Sequence, residues 1–314
     1  MLKNSKIFIS GHKGLIGSAL LKELKKKNYN NLLIKTRKQL ELDNKEKVDN
    51  FFKTNKPEVV IICSGKSGNL HKCINSPSTL FFENIFSQNN IINSSKKYKV
   101  KKLIYIGSSC VYPNITNRSL KEEDLLTGSF DKDTLTYTLV KLSGILLCKS
   151  INEEYFNGKN KFISVIPNTA YGPNDNFSYE NSHVFSALIK KFHLAKSKNL
   201  KNVEVLGSGK PKREFIYSGD IANAIVFLME QSHLAYSFYN IGTGVETSIK
   251  ELSKLVSNKI KFNGKINFNT KKPDGRKSKL LNSSKLLSLG WRPSINIEEG
   301  LELTYEWYKK NNNE

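Results

Sequence analysis

Apolar runs of strand length alternate with stretches of helical spacing along the first half of the chain. Lys6-Ile-Phe-Ile-Ser10 reads as a buried strand, and after a cluster of glycines the segment 15–24 places apolar residues on one helical face. Segments 31–35 and 58–63 are further strand runs, with a helix over 45–53 between them. A helix over 82–97, a strand over 102–107, a long helix over 137–155 and a strand over 162–166 continue the alternation. Strands and helices that alternate in this way predict an α/β fold with a doubly wound parallel sheet, because parallel neighbours need a crossover, usually a helix. After Pro167 the regularity weakens: 170–215 is rich in Asn, Ser, Gly and Lys around a helix at 184–195. Helical spacing returns at 220–230 and 249–256, and an amphipathic helix lies within 295–310.

The glycine cluster adds chemistry. Gly11-His-Lys-Gly14-Leu-Ile-Gly17 lies between the first strand and the first helix. In a dinucleotide fingerprint the first glycine permits the tight turn, the second lets the backbone approach a pyrophosphate, and the third lets helix and strand pack closely. The helix N-terminus then offers N–H groups to phosphate. The expected architecture is therefore a Rossmann domain over 1–168, with 214–245 returning to it, and a smaller C-terminal substrate-binding lobe made of 169–213 and 246–314. The second strand ends Lys35-Thr-Arg37, without the acid that meets the ribose hydroxyls of NAD. Arg37, with Lys13 nearby, favours NADP(H).

Two further motifs follow in order. Gly107-Ser-Ser-Cys-Val-Tyr-Pro113 ends the fourth strand, where doubly wound sheets bind their ligands, and Ser108 is placed to hydrogen-bond a substrate carbonyl. Tyr137-Thr-Leu-Val-Lys141 puts a phenol and an ammonium on one helical face, and the ammonium favours the phenolate. From the residues alone, Cys110 reads as a packing thiol and His183 as a hydrogen-bonded loop histidine.

Composition changes this picture little. The 314 residues carry a net charge of +22, but the lysines are spread along the chain and no zinc-finger or RNA-binding motif accompanies them. A nucleic-acid partner is disfavoured, while a positive potential helps draw in an anionic substrate. Cys63, Cys73, Cys110 and Cys148 show no metal-ligand spacing, so no metal site is expected and reduced thiols fit a cytoplasmic protein. No signal peptide and no apolar run of about 20 residues is visible, so no membrane association is expected.

Together the glycine fingerprint, the serine after the fourth strand and YxxxK resemble the extended short-chain dehydrogenase/reductases. Within them the chain resembles the GDP-L-fucose synthases, through Ile9–Ala19, the Gly107–Pro113 motif and Tyr171-Gly-Pro-Asn-Asp-Asn-Phe177. Asn181-Ser-His183, Gly207-Ser-Gly209 with Arg213-Glu-Phe215, Asn240-Ile-Gly-Thr-Gly244 and Lys272-Pro-Asp-Gly275 extend the match over nearly the whole chain. The resemblance implies two reactions in one pocket, on a GDP-linked 4-keto-6-deoxy sugar. Cys110 and His183 would serve epimerisation at C3 and C5. Tyr137, Lys141 and Ser108 would serve reduction of the C4 ketone by NADPH.

It also implies a wider cofactor site. Leu15 and Ile16 would follow the glycines, Ile106, Gly107 and Ser109 would lie at the end of the fourth strand, and Pro167, Asn168, Thr169 and Ala170 at the end of the next; Lys141 and His183 would reach the cofactor as well. Lys191, Leu206, Arg213 and Asp274 would bind substrate, and a homodimer through the helices near 82–97 and 137–155 is expected by analogy. Three places depart from the family pattern. Gly65-Lys-Ser-Gly-Asn69 replaces a glycine-pair loop, Leu206 a tryptophan and Lys191 an arginine. They leave open a related epimerase/reductase, or a plain 4-ketoreductase, acting on another nucleotide-linked hexose or heptose. A non-catalytic dinucleotide sensor is disfavoured, since Tyr137 and Lys141 are both present.

Overall fold

The computed structural model describes residues 2–66, 70–179, 182–272 and 274–312. Its first half is built from β1 (Ile7–Ser10), α1 (Leu15–Lys26), β2 (Leu32–Ile34), α2 (Lys45–Asn55), β3 (Val59–Ile62), α3 (Leu70–Asn75), α4 (Pro77–Lys97), β4 (Lys102–Ile106), α5 (Leu135–Tyr155) and β5 (Phe162–Pro167). β6 (Thr169–Tyr171), α6 (Val184–Ser197), β7 (Asn202–Leu206), β8 (Lys212–Tyr217), α7 (Ser218–Glu230) and β9 (Phe238–Ile241) follow. The chain continues through β10 (Glu246–Ser248), α8 (Ile249–Ile260), β11 (Lys265–Asn269), α9 (Ser284–Ser288) and α10 (Ile297–Asn311).

The central sheet is six-stranded and parallel, in the order β2-β1-β3-β4-β5-β9. Its inner strands are buried along their whole length, as in β3 and β4, because helices cover both faces. One face packs Ile7, Ile9, Val59, Ile61 and Ile104 against α1 and α7. The other packs Phe8, Val60, Ile62 and Leu103 against α2, α4 and α5. The strand order reverses direction between β1 and β3, and this is where such sheets open a crevice at their carboxyl ends.

The second lobe holds a three-stranded sheet, β10-β8-β6, and a two-stranded one, β11-β7. Its core joins α6, α8 and α10 through Phe185, Phe192, Leu252, Val256 and Tyr308. The chain returns to the central sheet through α7 and β9, whereas β8 pairs with β6 and β10 in the lobe. Among the described residues no helix is long and apolar enough to cross a membrane.

The elements extend the sequence expectation in two ways. α4 begins at Pro77, five residues or so ahead of the expected start, because a proline at the first helical turn sacrifices no hydrogen bond. The strands of the small lobe, β6 to β8, β10 and β11, lie where only loops and helices were expected.

Candidate active site

The turn after β1 is built as the glycine pattern requires. Gly11 has φ +73°, and a Cβ there would lie 2.6 Å from the Ser64 backbone nitrogen. A Cβ on Gly17 would lie 2.2 Å from the Gly11 carbonyl oxygen, so the helix can approach the turn only because that residue is glycine. At Gly14 the nearest such contact is 3.5 Å, so the protein itself leaves room there. α1 has no side-chain cap and no acid in its first turn, which leaves its first N–H groups free for an anion. His12 Nδ1 is buried beside this turn without a hydrogen-bond partner. These features fit a dinucleotide pyrophosphate. Arg37 and Lys13 lie outside the cavity lining on exposed surface; Arg37 makes only a 4.0 Å approach to Asp43.

Gly14, Leu15 and Ile16 open one end of a cavity of about 690 Å³. The ends of β4 and β5 form its floor, with Ile106, Gly107, Ser108, Ser109 and Cys110 on one side and Pro167, Asn168, Thr169 and Ala170 on the other. Gly107 has Ile145 and the Val165 carbonyl within 3.3 Å of where a Cβ would stand, so the strand passes flush against its neighbours. Ser108 Oγ accepts from the Cys110 backbone N–H at 3.4 Å, and the Thr138 hydroxyl donates to the Cys110 carbonyl at 3.2 Å. The second contact fixes the cysteine loop to α5, the helix that carries Tyr137 and Lys141.

Tyr137, Lys141, Ser108, Cys110 and His183 all face this one cavity. Lys141 is buried, donates to the Ile106 carbonyl at 3.0 Å, and has its Nζ 5.9 Å from the centre of the Tyr137 ring. Burial pulls its pKa down to about 8, with Cys110 and Cys63 acting the other way. His183 caps α6 with extended backbone, and its carbonyl accepts the Ala187 N–H at 2.8 Å. Asp175 stands in the same wall, bonded to the Asn176 N–H at 2.8 Å and to the Ser186 hydroxyl. Burial holds its pKa above the usual carboxylate range, against the opposing pull of Ser186, Asn176 and His183.

From the second lobe come Arg213 and Asp274. Arg213 donates to the Lys212 and Arg276 carbonyls at 2.7 and 2.6 Å, and Asp274 accepts from the Ser208 N–H and hydroxyl at 2.8 and 2.6 Å. Two expected substrate residues do not reach the cavity lining. Lys191 points to the Glu204 carbonyl at 3.1 Å, and Leu206 is an exposed residue at the end of β7. Of the unusual loop, Gly65 and Lys66 line the cavity, while Ser67, Gly68 and Asn69 lie outside the described residues, as do Asn181 and Pro273.

Several charged cavity residues belong to no motif. Asp131 and Asp133 precede α5, and Arg276 and Lys279 follow Asp274. Burial lowers the Lys279 pKa to about 8, opposed by Cys110 and reinforced by Arg276 and Arg213. Their only signal in the sequence is nearness to Tyr137 and to Asp274.

Residues 7–242 match the model of the NAD dependent epimerase/dehydratase family. The chain is 42% identical over 309 residues to putative GDP-L-fucose synthase 2 of Arabidopsis thaliana, a match that covers 98% of this chain and 93% of the relative. Among solved structures it is similar to a GDP-6-OMe-4-keto-L-xylo-heptose reductase from C. jejuni, with TM-score 0.91, 36% identity and 99% of both chains covered. It is also similar to a GDP-L-fucose synthetase from Naegleria fowleri bound to NADP, with TM-score 0.90, 28% identity, and 99% of this chain and 94% of that one covered.

Proposed function

Because this chain belongs to the NAD dependent epimerase/dehydratase family, and its matched relatives include GDP-L-fucose synthases, we propose that it converts GDP-4-keto-6-deoxy-D-mannose to GDP-L-fucose by 3,5-epimerisation and 4-keto reduction. The observation that carries this reading is the convergence of Cys110 and His183 with Ser108, Tyr137 and Lys141 on one cavity. A plain reductase needs the last three alone.

The cofactor is NADP(H). The glycine turn and the bare N-terminus of α1 would hold its pyrophosphate, and the basic turn at Arg37 would meet the 2′-phosphate. Bound there, NADPH supplies the hydride for C4. Ser108 donates a hydrogen bond to the ketone oxygen, and Tyr137 delivers the proton to it. Lys141, as an ammonium, favours the tyrosinate left behind and would hold the cofactor ribose. Protons at C3 and C5 are acidified by the adjacent ketone. Cys110 and His183 remove and return them from opposite sides of the sugar, and Arg213 holds the substrate diphosphate through its planar fork of donors. Asp274 supports the same end of the site, and Lys191 and Leu206 would bound it from outside the cavity.

The dinucleotide-binding domain is 1–168 with 214–245, which enters it through α7 once β8 has ended in the lobe sheet, and 169–213 with 246–314 is the substrate lobe. The chain acts as a homodimer in the cytoplasm; its four cysteines are free. α4 and α5 expose Phe82, Phe86, Leu139 and Leu146 on neighbouring surfaces, an apolar face suited to a second copy.

A second reading has a specific observation behind it, the 36% identity and TM-score of 0.91 to a reductase whose name specifies a GDP-linked 4-keto heptose. In that reading the chain is a 4-ketoreductase of a GDP-heptose. One experiment separates the two. The pure protein is incubated with NADPH in D2O, with GDP-4-keto-6-deoxy-D-mannose and with a GDP-4-keto-heptose, and products are identified by NMR. GDP-L-fucose carrying deuterium at C3 and C5 is expected. Reduction of the heptose alone, or reduction without deuterium, would overturn the first reading.

A further inference from the structure

Beside Cys110 the cavity wall carries an opposed pair of charges that the chemistry above does not use. Arg276 comes from the segment after Asp274 in the second lobe, and Asp131 from the loop that leads into α5. The Arg276 side chain is 9% exposed, and its Nε lies 3.8 Å from Asp131 Oδ2. Its two terminal nitrogens reach only the Pro113 and Tyr112 carbonyls, at 3.5 and 3.4 Å. All three approaches are longer than a good N–H···O hydrogen bond. A guanidinium offers five N–H donors, and burial without firm acceptors is costly. Asp131 is held from its other side, where Oδ1 accepts the Asp133 N–H at 3.1 Å, so Oδ2 is the oxygen left facing the arginine.

A hydroxyl suits such a gap because it both donates and accepts. Lodged to one side of the 3.8 Å line between the two side chains, it donates to the carboxylate and accepts from the guanidinium. A phosphate does not suit it, since the Asp131 carboxylate would repel a second anion at this distance. Arg213 and Lys279, in the same cavity, lack so close a carboxylate.

The geometry points to Asp131 and Arg276 as a sugar-hydroxyl clamp, a binding subsite for the hydroxyl-bearing edge of the nucleotide-linked sugar next to Cys110. This rests on the nucleotide-sugar reading of the cavity. The clamp spans the two lobes, so it selects the sugar and leaves the nucleotide to other residues.

The test compares wild type with Arg276→Met and Asp131→Asn in the full chain saturated with NADP+. Calorimetry gives the Kd for GDP and for GDP-L-fucose, steady-state assays give KM for the 4-keto sugar, and melting curves show that the variants fold. Charged hydrogen bonds of this kind correspond to roughly ten- to a hundredfold in affinity. The expected result is a loss of that size for GDP-L-fucose and a matching rise in KM, with GDP binding within about twofold of wild type. Equal losses for GDP and for the sugar nucleotide would make Arg276 a phosphate ligand or a lobe latch, and unchanged affinities would make the pair inert; either overturns the clamp while wild-type turnover upholds the functional reading. A wild type that reduces no 4-keto sugar and binds GDP-L-fucose no better than GDP overturns that reading, and the clamp with it.

Discussion

Lys141 is pulled in two directions. The proposed reduction uses it as an ammonium, and its burial brings the pKa down to about 8. In the unfolded chain the same group titrates near 10.4. Between these values the folded protein binds fewer protons than the unfolded chain, so this lysine's own contribution to stability rises with pH over that window. Activity moves the opposite way. kcat/KM for ketone reduction should fall on a basic limb near pH 8, and circular dichroism at the same pH should show the fold intact. A flat profile to pH 10 would remove Lys141 from the proton chemistry. Cys110 invites a separate measurement, because hydride transfer to C4 does not need it. Cys110→Ser should suppress solvent deuterium at C3 and C5 while reduction of the unepimerised ketone continues. Loss of both together would show that the thiol serves the reduction too. In the sequence these two residues were unequally visible. Lys141 announces itself by its spacing from Tyr137, whereas a single cysteine looks like any packing thiol until the Gly-Ser-Ser-Cys stretch is matched to a family. Asp131 and Arg276 carry no motif, since each belongs to a polar loop and only the fold brings them to 3.8 Å.

At the level of elements, the turn between β1 and α1 makes a contrast that two alanines can read. A Cβ at position 17 collides with the Gly11 carbonyl, while one at position 14 finds its nearest contact at 3.5 Å. Gly17→Ala should therefore lower both the melting temperature and NADPH affinity. Gly14→Ala should leave the melting temperature near wild type and still weaken NADPH by roughly tenfold or more, because the methyl group stands where pyrophosphate must approach the helix N-terminus. If Gly14→Ala bound NADPH normally, the phosphates would lie elsewhere. The central strands were legible because burial on both faces gives uninterrupted apolar runs such as Val59–Ile62. β9 was not, because its Asn240 is fully buried and spends its side chain on the Tyr112 hydroxyl and on the Leu120 and Asn282 carbonyls. A polar residue in a four-residue strand erases the apolar signature. β7 kept its alternation, with Val203 and Val205 inward, but three exposed neighbours and a lysine-rich approach hid it.

For the whole molecule, the apolar face of α4 and α5 sets the assembly prediction. Phe82 and Phe86 stack with centroids 5.6 Å apart while each remains about half exposed. Light scattering should report a dimer for wild type and a monomer for Phe86→Glu; a wild-type monomer would sink the dimer. The two lobes share one further feature, the interior carboxylate of Glu214, which has no solvent exposure. It accepts from the Gly244 N–H at 2.7 Å, from the Leu281 N–H at 2.9 Å and from the Asn168 side chain, which in turn accepts the Ser109 hydroxyl at 3.3 Å. One side chain thus rivets the end of β5, the loop after β9 and the segment beyond Arg276 to the strand that carries Arg213. A molecule riveted at that point should meet its ligands with a preset slot rather than close over them. Small-angle scattering of wild type should then return the same radius of gyration with and without NADP+ and GDP-L-fucose, and a Glu214→Ala protein should be the one that breathes.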